Sequence, residues 1–390
     1  MKLHHRAGTA ALLLAVVVTA CSAQAAPTPI PTSPPTPTAA PSDNPAATPT
    51  PAPTAAPQVS WRPNVVPDAP DVSSITAMSL TPDGQLVAHG FNGAFGSLLW
   101  TTDDGHTWTD RTPADFASAG LAGVTRFGDR LVAVGRGDTI NVDANVAAVY
   151  LSDDGLTWRQ AATDLEGQLI DVIATDDGLY AVGGVPAADA AGIWHSADGA
   201  AWERIGPDFE QAFLWSIAEG GPGLVAVGWR RNPEPDLAVW TSTDGQVWEL
   251  APDPEGFAGR EATSVVALPD GTLVMAGSGF DGSGGHVWTS TDGRTWDLGD
   301  FDPADGSVRS LVVSPWGVIG LGGGRDMSGR AWISADGRTW VPLGDPVPEA
   351  YFNDAFVTDE GLVFALGGTQ SGTLETGITG RAMIWSASLD

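Results

Sequence analysis

From about residue 73 onward, short apolar runs rich in Val, Leu and Ile alternate with clusters of Gly, Pro and Asp, and no helical period interrupts them. One stretch shows the pattern in full. TSVVAL (Thr263 to Leu268) is followed by a turn at Pro269-Asp270-Gly271, then TLVMAG (Thr272 to Gly277), a loop, GHVWTS (Gly285 to Ser290) and a second turn at Asp292-Gly293. Runs of this length, β-branched and bounded by turn formers, predict strands joined as antiparallel hairpins. The first turn recurs as Pro82-Asp83-Gly84, Asp176-Asp177-Gly178 and Asp359-Glu360-Gly361.

The second turn sits in a box that returns along the chain. VWTSTDGRTW (Val287 to Trp296) has relatives in LWTTDDGHTW (Leu99 to Trp108), VYLSDDGLTW (Val149 to Trp158), IWHSADGAAW (Ile193 to Trp202), VWTSTDGQVW (Val239 to Trp248) and AWISADGRTW (Ala331 to Trp340). Their aspartates, Asp104, Asp154, Asp198, Asp244, Asp292 and Asp336, are spaced by 50, 44, 46, 48 and 44 residues. Four-stranded units at that period predict an all-β fold, a β-propeller, with blades packed face to face around an axis. First strands fall near Ile75, Gly123, Val172, Ile217, Val265, Leu311 and Ala355, which makes seven blades. The last unit ends after its third strand, Met383 to Asp390, and VSWRPNV (Val59 to Val65) resembles the strand that follows a box. The N-terminal strand is therefore expected to complete the seventh blade and remove an open sheet edge.

In such a box the Asp-Gly pair permits the positive backbone dihedral of a tight hairpin, and the Ser and Asp side chains bond the turn's own amides. The two tryptophans are expected to wedge between blades. Through Ser290-Thr291-Asp292-Gly293-Arg294-Thr295-Trp296 and its copies, the chain resembles the Asp-box (BNR-repeat) propellers, including the sialidase-like families. The family pattern S-x-D-x-G-x-T-W is one residue longer than the S-x-D-G-x-T-W found here. The resemblance implies a propeller whose boxes lie away from any active site.

The N-terminus reads differently. Lys2 and Arg6 precede an apolar run, Ala10 to Val18, and Val18-Thr19-Ala20-Cys21 resembles a bacterial lipobox, so residues 1–20 read as a lipoprotein signal peptide. Cys21, the single cysteine, is the expected lipidation site. Residues 21–57, mostly Pro, Thr and Ala, read as a disordered tether, and residues 58–390 as the propeller. The expected location is extracytoplasmic, on the bacterial cell membrane through the lipid alone. A formal net charge of −29 argues against nucleic acid and for cations or basic partners.

Candidate chemistry follows from what the repeat leaves over. The sialidase resemblance implies an arginine triad, a tyrosine nucleophile with a glutamate, an aspartic acid/base and an early Arg-Ile-Pro. The chain has only Tyr150, Tyr180 and Tyr351, with Tyr150 at a box tryptophan's position, and Arg62-Pro63 is the nearest early match. Asp171 and Asp354 stand in first strands where other units carry Ala77, Gly123, Ser216, Ser264 and Ser310; each is read as a binding candidate, a catalytic acid or a structural partner. No metal or cofactor site is expected: the histidines lack ligand spacing, and two Asp-containing runs, Asp138 to Asn145 and Asp300 to Gly306, match no EF-hand pattern although they offer oxygen ligands for calcium. No phosphate-binding loop, dinucleotide fingerprint or nucleophile elbow is present.

Of the sixteen tryptophans, Trp215, Trp229 and Trp316 stand outside the boxes. Trp316 is expected on the box side. Trp215 and Trp229 are expected toward the opposite, loop-rich face, beside Arg230 and Arg231 and together with Arg260, Arg309 and Arg325. Phe116, Phe209, Phe257, Phe301 and Phe352 recur in the interblade connections and read as plugs between blades. The leading expectation is a monomeric, non-catalytic binding or scaffold module for a protein or glycan. Its rivals are a glycoside hydrolase or lyase using carboxylates on that face, and an assembly factor for a membrane complex.

Overall fold

The computed structural model describes residues 59–389 apart from residue 72 and residues 93–95, 138–145, 163, 253–255, 282–283 and 374–376. The signal peptide 1–20, Cys21, the tether 21–57 and the candidate run Asp138 to Asn145 lie outside the described residues. Seven four-stranded antiparallel sheets are arranged as the blades of a ring. Their first strands are Ser73–Leu80, Gly120–Phe127, Gln168–Thr175, Ala212–Gly220, Arg260–Ala267, Ser307–Ser314 and Ala350–Val357, taken here as blades 1 to 7. Blade 5 shows the common order, with Leu273–Gly279, Gly285–Ser290 and Asp297–Leu298 following outward. Each first strand contacts the first strands of both neighbours, so the seven enclose the axis.

Closure is made by the N-terminus. Arg62–Val65 pairs antiparallel with Ala382–Ser388 of blade 7, Arg62 opposite Ser386 and Val65 opposite Met383. Arg62 and Pro63, the nearest match to the early sialidase motif, thus lie in this outermost strand. Asn64 fastens it by donating from Nδ2 to Ser386 Oγ at 3.0 Å.

The joints between blades are aromatic. Trp100 and Trp108 of blade 1 are buried against Phe364, Leu366 and Ile384 of blade 7, and Trp288 and Trp296 of blade 5 against Val225, Val227 and Val239 of blade 4. The interblade phenylalanines meet these rings on edge: Phe257 with Trp288 at 5.8 Å, Phe209 with Trp240 at 5.5 Å, Phe301 with Trp332 at 5.2 Å and Phe116 with Tyr150 at 5.1 Å. Tyr150 is a joint residue, 5 % exposed. At roughly 25 cal/mol per Å2, a ring burying about 200 Å2 contributes on the order of 5 kcal/mol before entropy. A box hydrogen bond contributes about 1 kcal/mol, so the rings dominate.

The box turns serve the same joints. In the box of blade 5, Asp292 Oδ1 accepts from Arg294 N at 2.8 Å and Thr295 N at 2.7 Å, while Ser290 Oγ accepts from Gly293 N at 2.9 Å. The other five aspartates accept from the equivalent pair of amides. The Thr295 amide, with that of Arg294 and the Ser290 and Thr295 hydroxyls, holds the Asp292 carboxyl down at about 2. Gly293 has φ +69, and a Cβ there would stand 2.9 Å from Thr241 Cγ2 of blade 4. Glycine is thus required twice, for the turn and for the neighbouring blade.

His89, in the second strand of blade 1 (Leu86–Asn92), lies inside the joint of blades 1 and 2, edge-on to Trp158 at 5.1 Å. Neither ring nitrogen has a hydrogen-bond partner among the described residues, and burial pushes its pKa from 6.5 down to about 3. The unfolded chain takes up the proton first as pH falls, so this group's stabilisation is complete above about 6.5 and is lost toward about 3. The loss amounts to about 5 kcal/mol at most. His89→Leu is expected to flatten the acid limb of urea midpoints compared between pH 7.5 and pH 5, with little change at pH 7.5; an unaltered slope refutes the assignment.

Candidate functional site

The first strands share an irregularity that shapes the axis. In every blade the pairing of first and second strands shifts at one place, a β-bulge that leaves Thr76, Ala122, Ile170, Trp215, Thr263, Arg309 and Asn353 unpaired. Strict alternation sends successive residues to opposite faces, whereas a bulge turns two neighbours the same way. Both the bulge residues and those that follow them, Ala77, Gly123, Asp171, Ser216, Ser264, Ser310 and Asp354, line a central cavity of 620 Å3.

Around this cavity the blades are stitched by polar side chains. Asp171 Oδ2 accepts from Ile217 N of blade 4 at 3.0 Å, and its Oδ1 from Val172 N at 2.8 Å. Ser216 Oγ accepts from Val265 N at 3.3 Å, and Ser264 Oγ from Leu311 N at 3.1 Å. The Ser310 hydroxyl donates to Asp354 Oδ1 at 2.6 Å, and Asn353 Nδ2 donates to Ser74 Oγ of blade 1 at 2.7 Å. Blades 1 and 2 place Ala77 and Gly123 at the serine position, and neither side chain carries a polar atom. A Cβ on Gly123 would come within 3.1 Å of Ile170 O.

Toward the loop-rich end, near the starts of their strands, stand Trp215, Glu261 and Arg309. The Trp215 indole N–H donates to Glu261 Oε2 at 3.1 Å, and its ring leans on Phe213 with centroids 4.5 Å apart. Burial raises the Glu261 pKa, opposed by the Trp215 hydrogen bond and the Arg309 charge. Arg309 is exposed and makes no hydrogen bond or ion pair with a described residue. Burial raises Asp171 as well, and takes Asp354 up to about 6 against its Ser310 and Ala355 hydrogen bonds, with the Asp171 charge adding to the rise.

The structure thus brings four of the sequence candidates, Trp215, Arg309, Asp171 and Asp354, to one cavity and leaves five outside it. Trp229 pairs across its hairpin with Phe213 and Leu237 and faces Phe280 edge-on at 6.3 Å. Arg231 reaches Asp189 at 3.9 Å on the surface, and Arg230 stands opposite Ala212 and Asp236. Arg260 donates from Nη1 to Gly256 O at 2.5 Å, and Arg325 is exposed in the turn between the second and third strands of blade 6. Trp316, 41 % exposed, packs on Gly361 in the first turn of blade 7. Sequence reasoning passed over Glu261, Thr76 and Asn353. Aligning the residue before the Ala77–Gly123–Asp171 column, which reads Thr, Ala, Ile, Trp, Thr, Arg and Asn from blade 1 to blade 7, would have drawn attention to Thr76 and Asn353.

Asp302 caps a short turn at Pro303–Asp305 by accepting from Ala304 N at 2.8 Å. Among the described residues no group of three or more His, Cys, Asp or Glu side chains is gathered as metal ligands. No helix among them is long and apolar enough to cross a membrane.

No family model matches the chain, and no curated protein matches it in sequence. Solved structures match it in shape. A catalytically inactive variant of virginiamycin B lyase from Staphylococcus aureus, solved with quinupristin, superposes with a TM-score of 0.58 at 7 % identity over 85 % of this chain and 100 % of that one. The selenomethionine-substituted lyase from the same organism gives 0.52 at 8 % identity over 81 % and 99 %. The chain is a seven-bladed β-propeller. At such identities the likeness reaches the fold and stops short of activity.

Asp354 supplies a test of the cavity electrostatics. Its folded pKa of about 6 lies above the ordinary 3.8, so its contribution is complete below about 3.8 and is lost as pH rises through about 6. Asp354→Asn is expected to raise the thermal midpoint at pH 7.5 by a few degrees over the parent and to leave it unchanged at pH 4. Equal shifts at both pH values contradict the assignment.

Proposed function

We propose that this chain is a lipid-anchored, extracytoplasmic binding module that receives a group of a protein or glycan ligand in its axial cavity, from the loop-rich face. The observation that carries the reading is the set of Trp215, Glu261 and Arg309 on three successive blades of one cavity wall. The half-buried indole offers a flat apolar face, Glu261 is held in place by the indole N–H, and the exposed guanidinium has donors to spare. Both aspartates are engaged with the protein: Asp171 accepts amides at both oxygens and Asp354 takes the Ser310 hydroxyl. Such carboxylates suit a fixed recognition surface better than a nucleophile.

A second reading, a glycoside hydrolase or lyase, draws support from Asp354, whose raised pKa would let it carry a proton near neutral pH, and from the shared fold of a structural neighbour that is a lyase. Under this reading the resemblance to the Asp-box propellers would extend to activity.

Glycan-array and pull-down capture by the parent is expected to fall at least tenfold in Trp215→Ala and in Arg309→Ala, and to persist in Trp229→Ala. If Trp215→Ala captures every ligand as tightly as the parent, the site lies elsewhere. For the anchor, radioactive palmitate is expected in the parent and absent from Cys21→Ser; equal incorporation removes the lipoprotein reading.

A further inference from the structure

The stitching around the cavity is uneven, and the unevenness has a chemical meaning. From blade 3 to blade 7 each joint at the ring level is closed by a side-chain hydrogen bond, beginning at Asp171 and ending at Asp354. Between those two carboxyls, on the remaining arc, stand Ala77 and Gly123, so a stretch of wall without polar side chains at that level is flanked by an acid on either side. The Asp171 charge bears on Asp354. The bulge residue of blade 1, Thr76, lies on the same arc and lines the cavity. Its hydroxyl oxygen is shielded from solvent and has no hydrogen-bond partner among the described residues. A buried hydroxyl left so is unfavourable, and a ligand donor would satisfy it.

The charge census points the same way. Asp171, Glu261 and Asp354 face one cation, Arg309, and that cation bears on Glu261, leaving the aspartate pair without a counter-charge. Phe91 and Trp215 line the cavity as well, and aromatic faces attract organic cations. A hard metal ion needs six or more oxygens, which an arc of Ala77 and Gly123 does not provide. An ammonium has three donors, to set against two carboxyls and the Thr76 hydroxyl.

We propose that the group entering the cavity is a primary ammonium, held between Asp171 and Asp354 with Thr76 as a further acceptor and its carbon body against Trp215. This rests on the reading of the cavity as the ligand site and names the chemistry it receives. Binding is coupled to the proton on Asp354. Arg309 is the titratable side chain of the blade 6 first strand, and neither the blade 1 first strand nor the blade 7 second strand, Leu362–Thr369, carries one. On the strand of Asp354 itself, the Tyr351 hydroxyl is bound to Ser73 O. The third strand of blade 6, Gly329–Ser334, brings Arg330, which is paired with Asp326 at 3.0 Å; Asp171 and Glu261 lie across the cavity. Affinity therefore weakens as pH falls through about 6.

The test titrates the full-length protein with benzylammonium, benzyl alcohol and benzoate, matched in shape and different in charge, by calorimetry and tryptophan fluorescence. At pH 7.5 benzylammonium is expected to bind at least tenfold more tightly than benzyl alcohol, with benzoate weakest. The preference is expected to shrink at least fivefold at pH 5, and to vanish in Asp171→Asn/Asp354→Asn shown by circular dichroism to be folded. If that double variant fails to fold, Asp354→Asn alone is expected to reduce the preference by at least threefold at pH 7.5. Benzyl alcohol binding as tightly as the amine, or benzoate binding best, overturns the ammonium assignment and leaves the cavity reading standing. Displacement of benzylammonium by millimolar calcium overturns it in favour of a metal site. Failure of all three probes overturns it too; if Trp215→Ala also leaves ligand capture unchanged, both readings fall. Titration with Nα-acetyl-lysine amide and with glucosamine tells a protein source of the ammonium from a glycan source.

Discussion

The structure depends on the edge-on aromatic joint between neighbouring blades. A tryptophan or tyrosine from one blade's third strand enters the space beside its neighbour, and in five of the joints an interblade phenylalanine meets it at 5.1 to 5.8 Å. A four-stranded blade alone has two apolar faces and no means of burying either. Stacking in a ring buries both, and only a closed ring leaves no end blade uncovered. The whole fold therefore requires that the seventh blade be finished, which the strand Arg62–Val65 does from the opposite end of the sequence. Trp61 shows what closure changes: its indole N–H goes to Leu343 O of blade 6, whereas Trp158, Trp202, Trp248, Trp296 and Trp340 each donate to the carbonyl of their own box glycine.

The same joint explains the box. Its hydrogen bonds hold a turn tight enough to lie against the preceding blade, and its glycine admits both the dihedral and the approach. Chemistry that looks functional in isolation, an exposed aspartate with a depressed pKa beside hydroxyls, is here the fastening of a hairpin. The box aspartates lie in turns at the ends of third strands. The cavity lies among the first strands, and what it holds departs from the repeat: Trp215 where other blades have smaller residues, Asp171 and Asp354 where others have serine, alanine or glycine.

Those departures come with an electrostatic cost. Three carboxyls in one cavity are all raised by burial, and a single arginine offsets only part of their charge. The serines on blades 4, 5 and 6 show that the joints can be stitched without acids, by hydroxyls alone. Two aspartates are therefore more than the stitching of the ring requires.

Strand alternation, the Asp-Gly turns and the 44-to-50-residue period determined the blades, their number and their closure from the sequence alone, because each is a local or periodic property of the chain. The interblade role of Phe257 and its counterparts was legible for the same reason: recurrence marks what the architecture demands. Which candidates meet was decided only in three dimensions. Trp215 and Trp229 look alike in sequence, one in the first strand and one in the second of the same blade, yet a bulge at Trp215 turns it into the cavity while Trp229 stays in regular pairing. Glu261 gained its place from Trp215, forty-six residues away, and Asp354 comes to share a cavity with Asp171 only because the ring closes. A bulge shifts the facing of side chains without leaving a reliable mark in composition, and closure joins residues that no local pattern connects.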